Sequence, residues 1–208
     1  MRVYKLLITA FLATSAAVSA FADIAFNDFD NAGGFNTGNG WTICGPNGSV
    51  GQNWDQGNQF TSLTTGDVTK ITVAMGYVNG TNSATMSLYA DSGSDTVGAL
   101  KGSWNISNMG SFGSAYSPSV INVGGGVGLV AGQKYWLIAD SANDAWLAWN
   151  FNNMGINQIK YWNNNGTGSY STNTAGTYRI DTTVVPEPVS MIALGAGILA
   201  ISRRRRSA

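Results

Sequence analysis

Apolar and polar side chains alternate with a period of two along much of the chain, which is the pattern of half-buried β-strands. The clearest example is 67–77, followed by Asn79-Gly80, a dipeptide that supplies the positive φ angles of a tight hairpin turn. The apolar face before the turn consists of Ile71, Val73, Met75 and Tyr77. The apolar face after it consists of Ala84, Met86, Leu88 and Ala90. The pattern therefore predicts a β-hairpin whose two strands pair with each other.

Short apolar runs between clusters of Gly, Asn, Ser and Thr predict the other strands, about nine or ten in all. These runs fall within 23–35, 59–63, 100–106, 119–123, 135–139, 145–151, 156–162 and 176–184. The segments 38–58 and 163–174 are polar and rich in Asn and Gly, and we expect them to be mostly loops. The middle of the chain is therefore predicted to be all-β, with two sheets packed as a β-sandwich.

The C-terminal segment, 184–208, breaks this alternation. Pro186-Glu187-Pro188 precedes an apolar run, 189–202, and then four arginines, 203–206. Proline suits the first position of a helix, so we predict a hydrophobic helix over the apolar run. At about 1.5 Å per residue it would be about 21 Å long, which is short of the roughly 30 Å core of a bilayer. This length favours a processed sorting signal, with a retained single-pass membrane anchor as the alternative.

This tail resembles the PEP-CTERM sorting signal of Gram-negative bacteria. The matching residues are Pro186, Glu187 and Pro188, the apolar run, and Arg203, Arg204, Arg205 and Arg206. The resemblance implies recognition by the membrane enzyme exosortase and cleavage near the motif. It further implies transit through the inner membrane to the cell surface or the extracellular polysaccharide matrix. The same tail is also labelled the ice-binding protein C-terminal domain, a label that is no evidence of ice binding.

Residues 1–22 have the features of a secretory signal peptide, with a basic start, an apolar helical core and small residues near the end. Ala20 and Ala22 occupy the first and third positions before Asp23, as a signal peptidase site requires. We therefore predict cleavage after Ala22, with an uncleaved anchor as the alternative. The surface domain is then 23–183.

Charge and residue types exclude several functions. Residues 23–183 carry five positive and ten negative side chains, a net charge of −5, which argues against binding of nucleic acid. The chain has no histidine, so Ser-His-Asp catalysis and histidine-based zinc sites are excluded. Ten aspartates would allow a catalytic carboxylate pair, but no spacing identifies one, so we expect no enzyme. The single cysteine, Cys44, predicts a buried thiol, with an intermolecular disulfide as the alternative.

Four segments of the predicted surface domain, the body of the chain (23–183), resemble the bacterial choice-of-anchor (R-type) surface domains. They are 79–81, 88–93, 131–137 and 145–150, and the similarity spans about residues 60–182. The resemblance implies a jelly-roll-like exported β-sandwich that is combined with interchangeable C-terminal sorting signals. It implies no catalytic residues.

Seven tryptophans are the first candidate source of binding chemistry, because exposed indole faces stack on sugar rings. Three of them lie beside polar loops and are our candidates for sugar binding: Trp41, Trp54 and Trp162. We expect Trp104, Trp136 and one of Trp146 and Trp149 in the core. The last two are three positions apart and therefore point to opposite faces of a strand.

Aspartates in three predicted turns are the second candidate, because calcium prefers carboxylate and carbonyl oxygens. The candidate ligands are Asp28, Asp30, Asp91, Asp95, Asp140 and Asp144. No EF-hand loop is completed, and Asp also bonds its own backbone in turns, so turn formation is the alternative. We therefore predict no obligatory cofactor and leave calcium open.

Together these features predict an exported β-sandwich that is a structural or adhesive component of the cell envelope or the exopolysaccharide matrix. The alternative is a carbohydrate-binding module that uses loop aromatics, with calcium assistance left open. Ice binding is a weaker alternative, since the threonines show no fixed repeat. The expected partners are signal peptidase, exosortase, the membrane through the C-terminal helix before processing, and an exopolysaccharide.

Overall fold

The computed structural model describes residues 22–183, in which every regular element is a β-strand. The strands in chain order are β1 (Ala22–Asn27), β2 (Gly40–Cys44), β3 (Trp54–Thr61), β4 (Gly66–Val73), β5 (Met75–Asn79), β6 (Ser83–Asp91), β7 (Val97–Ser107), β8 (Ser119–Asn122), β9 (Gly128–Leu129), β10 (Lys134–Ser141), β11 (Trp146–Asn150), β12 (Asn157–Asn164), β13 (Thr167–Thr174) and β14 (Tyr178–Thr183). The prediction of an all-β domain is confirmed for these residues.

The strands form two sheets. The smaller has the order β1-β14-β4-β8, with the short β9 paired to β4. The larger has the order β5-β11-β2-β3-β10-β6-β7, and β12 pairs with the other edge of β3 and carries β13. All pairings between these strands are antiparallel. Two sheets fit the predicted layering, and they place β2, β3 and β12 side by side.

One hydrophobic core receives side chains from both sheets. Ile71 and Tyr178 of the smaller sheet and Leu137 and Trp149 of the larger are fully buried in it. The rings of Trp149 and Tyr178 meet edge to face across the sheets, with centroids 5.7 Å apart. Burying a side chain of this size contributes about 2 kcal/mol or more, so these contacts hold the two sheets together.

The predicted hairpin around Asn79-Gly80 is wrong in its pairing, although six of its eight apolar positions are buried and the other two, Tyr77 and Ala90, are partly buried. The chain passes at Ala74 from β4 in one sheet to β5 in the other, so 67–77 forms two strands. β5 pairs with β11, whereas β6 pairs with β10 and β7. The turn packs against the loop before β11, where a Cβ on Gly80 would overlap the carbonyl oxygen of Asp144. This distant contact replaces the local pairing.

Two predicted loops contain strands. Within 38–58 lie β2 and the first half of β3. Within 163–174 lie the end of β12 and all of β13, which follows a turn at Asn165-Gly166 with φ angles of 50° and 88°. β13 pairs with β12 alone and is exposed over seven of its eight residues. A strand without a buried face shows no apolar alternation, which is why the pattern did not reveal it.

Several predictions lie outside the described residues. They are the signal peptide up to residue 21 and the whole C-terminal segment from residue 184, with its motif, apolar run and arginines. β1 begins at Ala22, beside the predicted cleavage position. Residues 22–183 contain no helix with the length and apolar character that a membrane span requires.

Candidate functional site

The three candidate sugar-binding tryptophans lie together although they are far apart in sequence. Trp41 comes from β2, Trp54 from β3 and Trp162 from β12, and all three line a groove of about 360 Å³. The other lining residues are Gly40, Thr42, Gln56 and Lys160. We call this the tryptophan groove.

The strand register explains why Trp54 and Trp162 lie together. In the pairing of β3 with β12, Trp162 lies opposite Gln56, and Asn164 lies opposite Trp54. Paired residues of neighbouring strands project from the same face, so the even-numbered side chains of both strands form one side of the groove. Trp41 of β2 lies opposite Trp149 of β11 and completes the groove.

Hydrogen bonds fix the orientation of two of the three indoles. Trp54 Nε1 donates to Asn164 Oδ1 at 2.9 Å, and Trp41 Nε1 donates to the carbonyl oxygen of Thr174 at 2.8 Å. Trp54 and Trp162 meet edge to face, with ring centroids 6.0 Å apart at 72°. The groove walls are therefore held in place before any ligand arrives, which lowers the entropy cost of binding.

Lys160 is the charged residue of the groove. Its side chain is buried, and Nζ lies 3.1 Å from the ring centroid of Trp41 and 5.6 Å from that of Trp162. These are cation–π distances. Burial lowers the pKa of Lys160 from 10.5 to about 8, so the amine is mostly charged at neutral pH. Sequence reasoning missed Lys160, because its burial depends on contacts with a strand more than a hundred positions away.

Two buried polar atoms of the groove have no hydrogen-bond partner among the described residues. One is the acceptor Gln56 Oε1, and the other is the donor Trp162 Nε1. The amide of Gln56 is oriented by its nitrogen, which donates to the carbonyl oxygen of Thr42 at 2.9 Å. Buried polar groups usually find a partner, so an acceptor and a donor left open in one groove point to an outside molecule.

The aspartates of the 91–95 turn bind protein groups. Asp91 accepts hydrogen bonds from Trp136 Nε1 at 2.9 Å, Gln59 Nε2 at 2.8 Å and the backbone of Gly93 at 2.7 Å. Burial opposes ionisation of Asp91, but these bonds outweigh it and lower its pKa. The hydrogen bond from Lys134 lowers the pKa of Asp95. Both carboxylates therefore hold the turn to its neighbouring strands.

The other predicted calcium ligands are separated in the fold. Asp28 is fully buried, with Oδ1 accepting from the Tyr178 backbone at 2.6 Å, whereas Asp30 caps an exposed turn by accepting from the backbone of Ala32 and Gly34. Asp140 lies exposed near the end of β10, and Asp144 lies exposed in the turn before β11. Within residues 22–183, no three such side chains come close enough to hold a metal ion. A calcium site stays a prediction without a supporting cluster here.

A carboxyl pair that the sequence did not reveal lies on the face of the larger sheet opposite the core. On β3, Gln56 pairs with Ala139 of β10, so the neighbouring Asp55 lies opposite Asp140. Tyr89 and Tyr161 line the same groove as these two aspartates. Burial first, and then the charge of Asp140, raise the pKa of Asp55 to about 6. Asp55 therefore takes up a proton near pH 6, well above the usual range of an aspartate.

The remaining tryptophans and Cys44 behave as expected from their positions. Trp136 and Trp149 are fully buried, Trp104 packs partly buried against the core, and Trp146 on the opposite face from Trp149 is half-buried. Cys44 is fully buried, and its Sγ donates to the carbonyl oxygen of Gln52. A buried thiol agrees with the prediction and leaves no accessible sulfur for an intermolecular disulfide.

Neither a scan against protein-family models nor a search of curated proteins found a match to the chain.

Proposed function

We propose that this chain is an exported, jelly-roll-like β-sandwich that serves as an adhesive component of the bacterial envelope and binds polysaccharide in the tryptophan groove. The observation that carries the proposal is the convergence of Trp41, Trp54 and Trp162, from three strands, around one groove with open hydrogen-bonding groups. Aromatic faces suit the apolar faces of sugar rings, and the open donor and acceptor suit sugar hydroxyls.

Delivery to a polysaccharide coat is the part of the proposal that comes from the two ends of the sequence. The signal peptide would direct export, and exosortase would process the chain at Pro186-Glu187-Pro188. A protein sorted to an exopolysaccharide matrix and equipped with a sugar-binding groove would crosslink or decorate that matrix. The mass of the C-terminal peptide of the surface protein tests this part, since a chain still ending at Ala208 would contradict cleavage.

A binding role is favoured over catalysis by the residues that line the tryptophan groove. Hydrolysis of a glycosidic bond needs two carboxyl groups several ångströms apart, with the sugar between them. Asp55 and Asp140 line a different groove, where Asn163 Nδ2 donates to Asp55 Oδ2 at 2.6 Å. The tryptophan groove has no carboxylate among its lining residues.

The test is a titration of the full-length chain, in mild detergent, with the exopolysaccharide of the producing organism, followed by tryptophan fluorescence and calorimetry. We expect saturable binding, weakened about tenfold or more by Trp54→Ala and by Trp162→Ala, since truncating an aromatic anchor costs more than 1 kcal/mol. Trp146→Ala is the matched control, because Trp146 is half-buried but does not line the groove. Equal weakening by all three variants, or no binding by the folded wild type, would refute the proposal.

A further inference from the structure

Lys160 differs from the other cations of the domain because it is buried without an anion. Lys70 and Arg179 pair with Asp181, and Lys134 pairs with Asp95, whereas Lys101 is exposed to solvent. Lys160 is 6% exposed and forms no ion pair with any residue in 22–183. A buried charge is costly unless it is paired, so the groove contains a cation whose counter-ion is missing from the domain itself.

The surroundings of Lys160 favour the binding of an anion. Trp41 and Trp162 flank the ammonium with ring faces, which exclude water and strengthen any charge interaction at that point. Trp162 also offers its unpartnered Nε1–H, a second donor that borders the same space. Gln56, the cross-strand neighbour of Trp162, offers an unpartnered acceptor, Oε1, suited to a hydroxyl. The groove thus presents two donors, one of them charged, beside one acceptor and flat apolar walls.

We propose that the tryptophan groove recognises an acidic polysaccharide, one built from uronic acid units, with the carboxylate of one unit placed on the Lys160 ammonium. A carboxylate has two acceptor oxygens for the ammonium and the indole N–H, and the hydroxyls of the same ring would reach Gln56 Oε1. The ring faces would stack on the tryptophans. This inference deepens the proposed function and rests on it.

Charge across the domain favours a single recognised carboxylate over a general affinity for polyanions. The body carries a net charge of −5, and the groove is lined by one cation, Lys160. A surface of this kind gives little long-range attraction to a densely charged polymer such as nucleic acid. Recognition would depend on the local contact of one carboxylate with one desolvated ammonium, and would therefore be less sensitive to salt than binding to a basic patch.

The test compares two matched sets of probes on the full-length chain in mild detergent. The first set consists of oligomers of alginate and of polygalacturonate. The second consists of the same oligomers after chemical reduction of their carboxylates to primary alcohols. We expect the wild type to bind at least one acidic oligomer tenfold or more tightly than its reduced form, in 150 mM salt.

Variants test whether Lys160 causes the preference for acidic over reduced oligomers. Lys160→Met should reduce the preference to less than threefold while leaving measurable binding to the reduced oligomer, and Lys160→Arg should keep it. Lys101→Met is the matched control, because it removes one positive charge at an exposed position outside the groove and should leave the preference unchanged. Thermal unfolding of each variant verifies its fold, and the wild-type comparison of acidic and reduced oligomers stands even if Lys160→Met does not fold.

Each outcome has a separate meaning. Equal binding of acidic and reduced oligomers would overturn the inference and leave the tryptophan groove as a site for neutral sugars. A preference that survives in folded Lys160→Met would overturn the role of Lys160. Binding of no oligomer and no exopolysaccharide by folded protein would overturn the proposed function together with the inference.

Discussion

Replacing Lys160 by methionine should stabilise the ligand-free protein, because the groove holds a buried charge with no anionic partner. Burial lowers the pKa of Lys160 from 10.5 to about 8. One pKa unit corresponds to about 1.4 kcal/mol, so the shift sets an upper value of about 3 kcal/mol for the cost of the charge. Solvent screening reduces this cost, and we expect Lys160→Met to raise the free energy of unfolding by about 2 kcal/mol at pH 7.

The pH dependence gives a sharper form of the same prediction. Because the pKa of Lys160 is lower in the folded state, the unfolded chain binds more protons between about pH 8 and pH 10.5. The stability of the wild type should therefore rise with pH in this window, relative to Lys160→Met. Titrations of other groups are common to both proteins and cancel in the difference.

The assay is urea unfolding of wild type, Lys160→Met and Lys101→Met, followed by tryptophan fluorescence at pH 7, 8, 9 and 10. The expected advantage of Lys160→Met is largest at pH 7 and shrinks steadily towards pH 10. Lys101→Met should follow the wild type at every pH, because Lys101 is exposed. A Lys160→Met protein that is less stable than wild type at pH 7, or a difference that does not change with pH, would refute the reasoning.

Three further predictions concern the scaffold. Burial raises the pKa of Asp28 to about 8, so the folded state binds more protons than the unfolded chain between about pH 4 and pH 8. The free energy of unfolding should therefore fall as pH rises through this window, and thermal unfolding should show a smaller fall in Asp28→Asn. Trp149→Ala should cost about 3 to 5 kcal/mol in urea unfolding, since the indole is fully buried and donates to the Thr177 carbonyl oxygen; a loss below 1 kcal/mol would contradict its core role. Asp91→Ala should cost about 1 to 3 kcal/mol, because it orphans the buried Trp136 N–H; unchanged stability would show that the turn does not depend on this carboxylate.

Periodicity predicted burial better than it predicted pairing. Ile71, Val73 and Met75 are buried as their alternation requires, since any sheet that covers this face would bury them. Whether β5 pairs with β6 or with β11 depends on contacts about seventy positions away, and no local pattern encodes them. Ala74, where the chain changes sheets, has nothing in its neighbourhood that would mark it as the crossing point.

For the candidate site, too, the sequence indicated which residues to consider but did not show that they lie together. Trp41, Trp54 and Trp162 could be selected singly, because bulky aromatics beside polar loops are unusual. Their convergence depends on the register of β3 with β12 and on the position of β2 in the same sheet, which the sequence does not display. Lys160 was one of five positive side chains in the body, and only the position of Trp41 shows that it is buried.

The most direct test of the tryptophan groove is an NMR titration of the full-length chain carrying ¹⁵N-labelled tryptophan. The seven indole N–H signals would be assigned by single Trp→Phe variants and followed as acidic oligosaccharide is added. We predict that the signals of Trp41, Trp54 and Trp162 shift, with Trp162 moving most because its N–H has no partner among the described residues, while those of Trp136 and Trp149 stay fixed. Shifts confined to tryptophans outside the groove, or saturable binding with no indole shift, would contradict a sugar site in this groove.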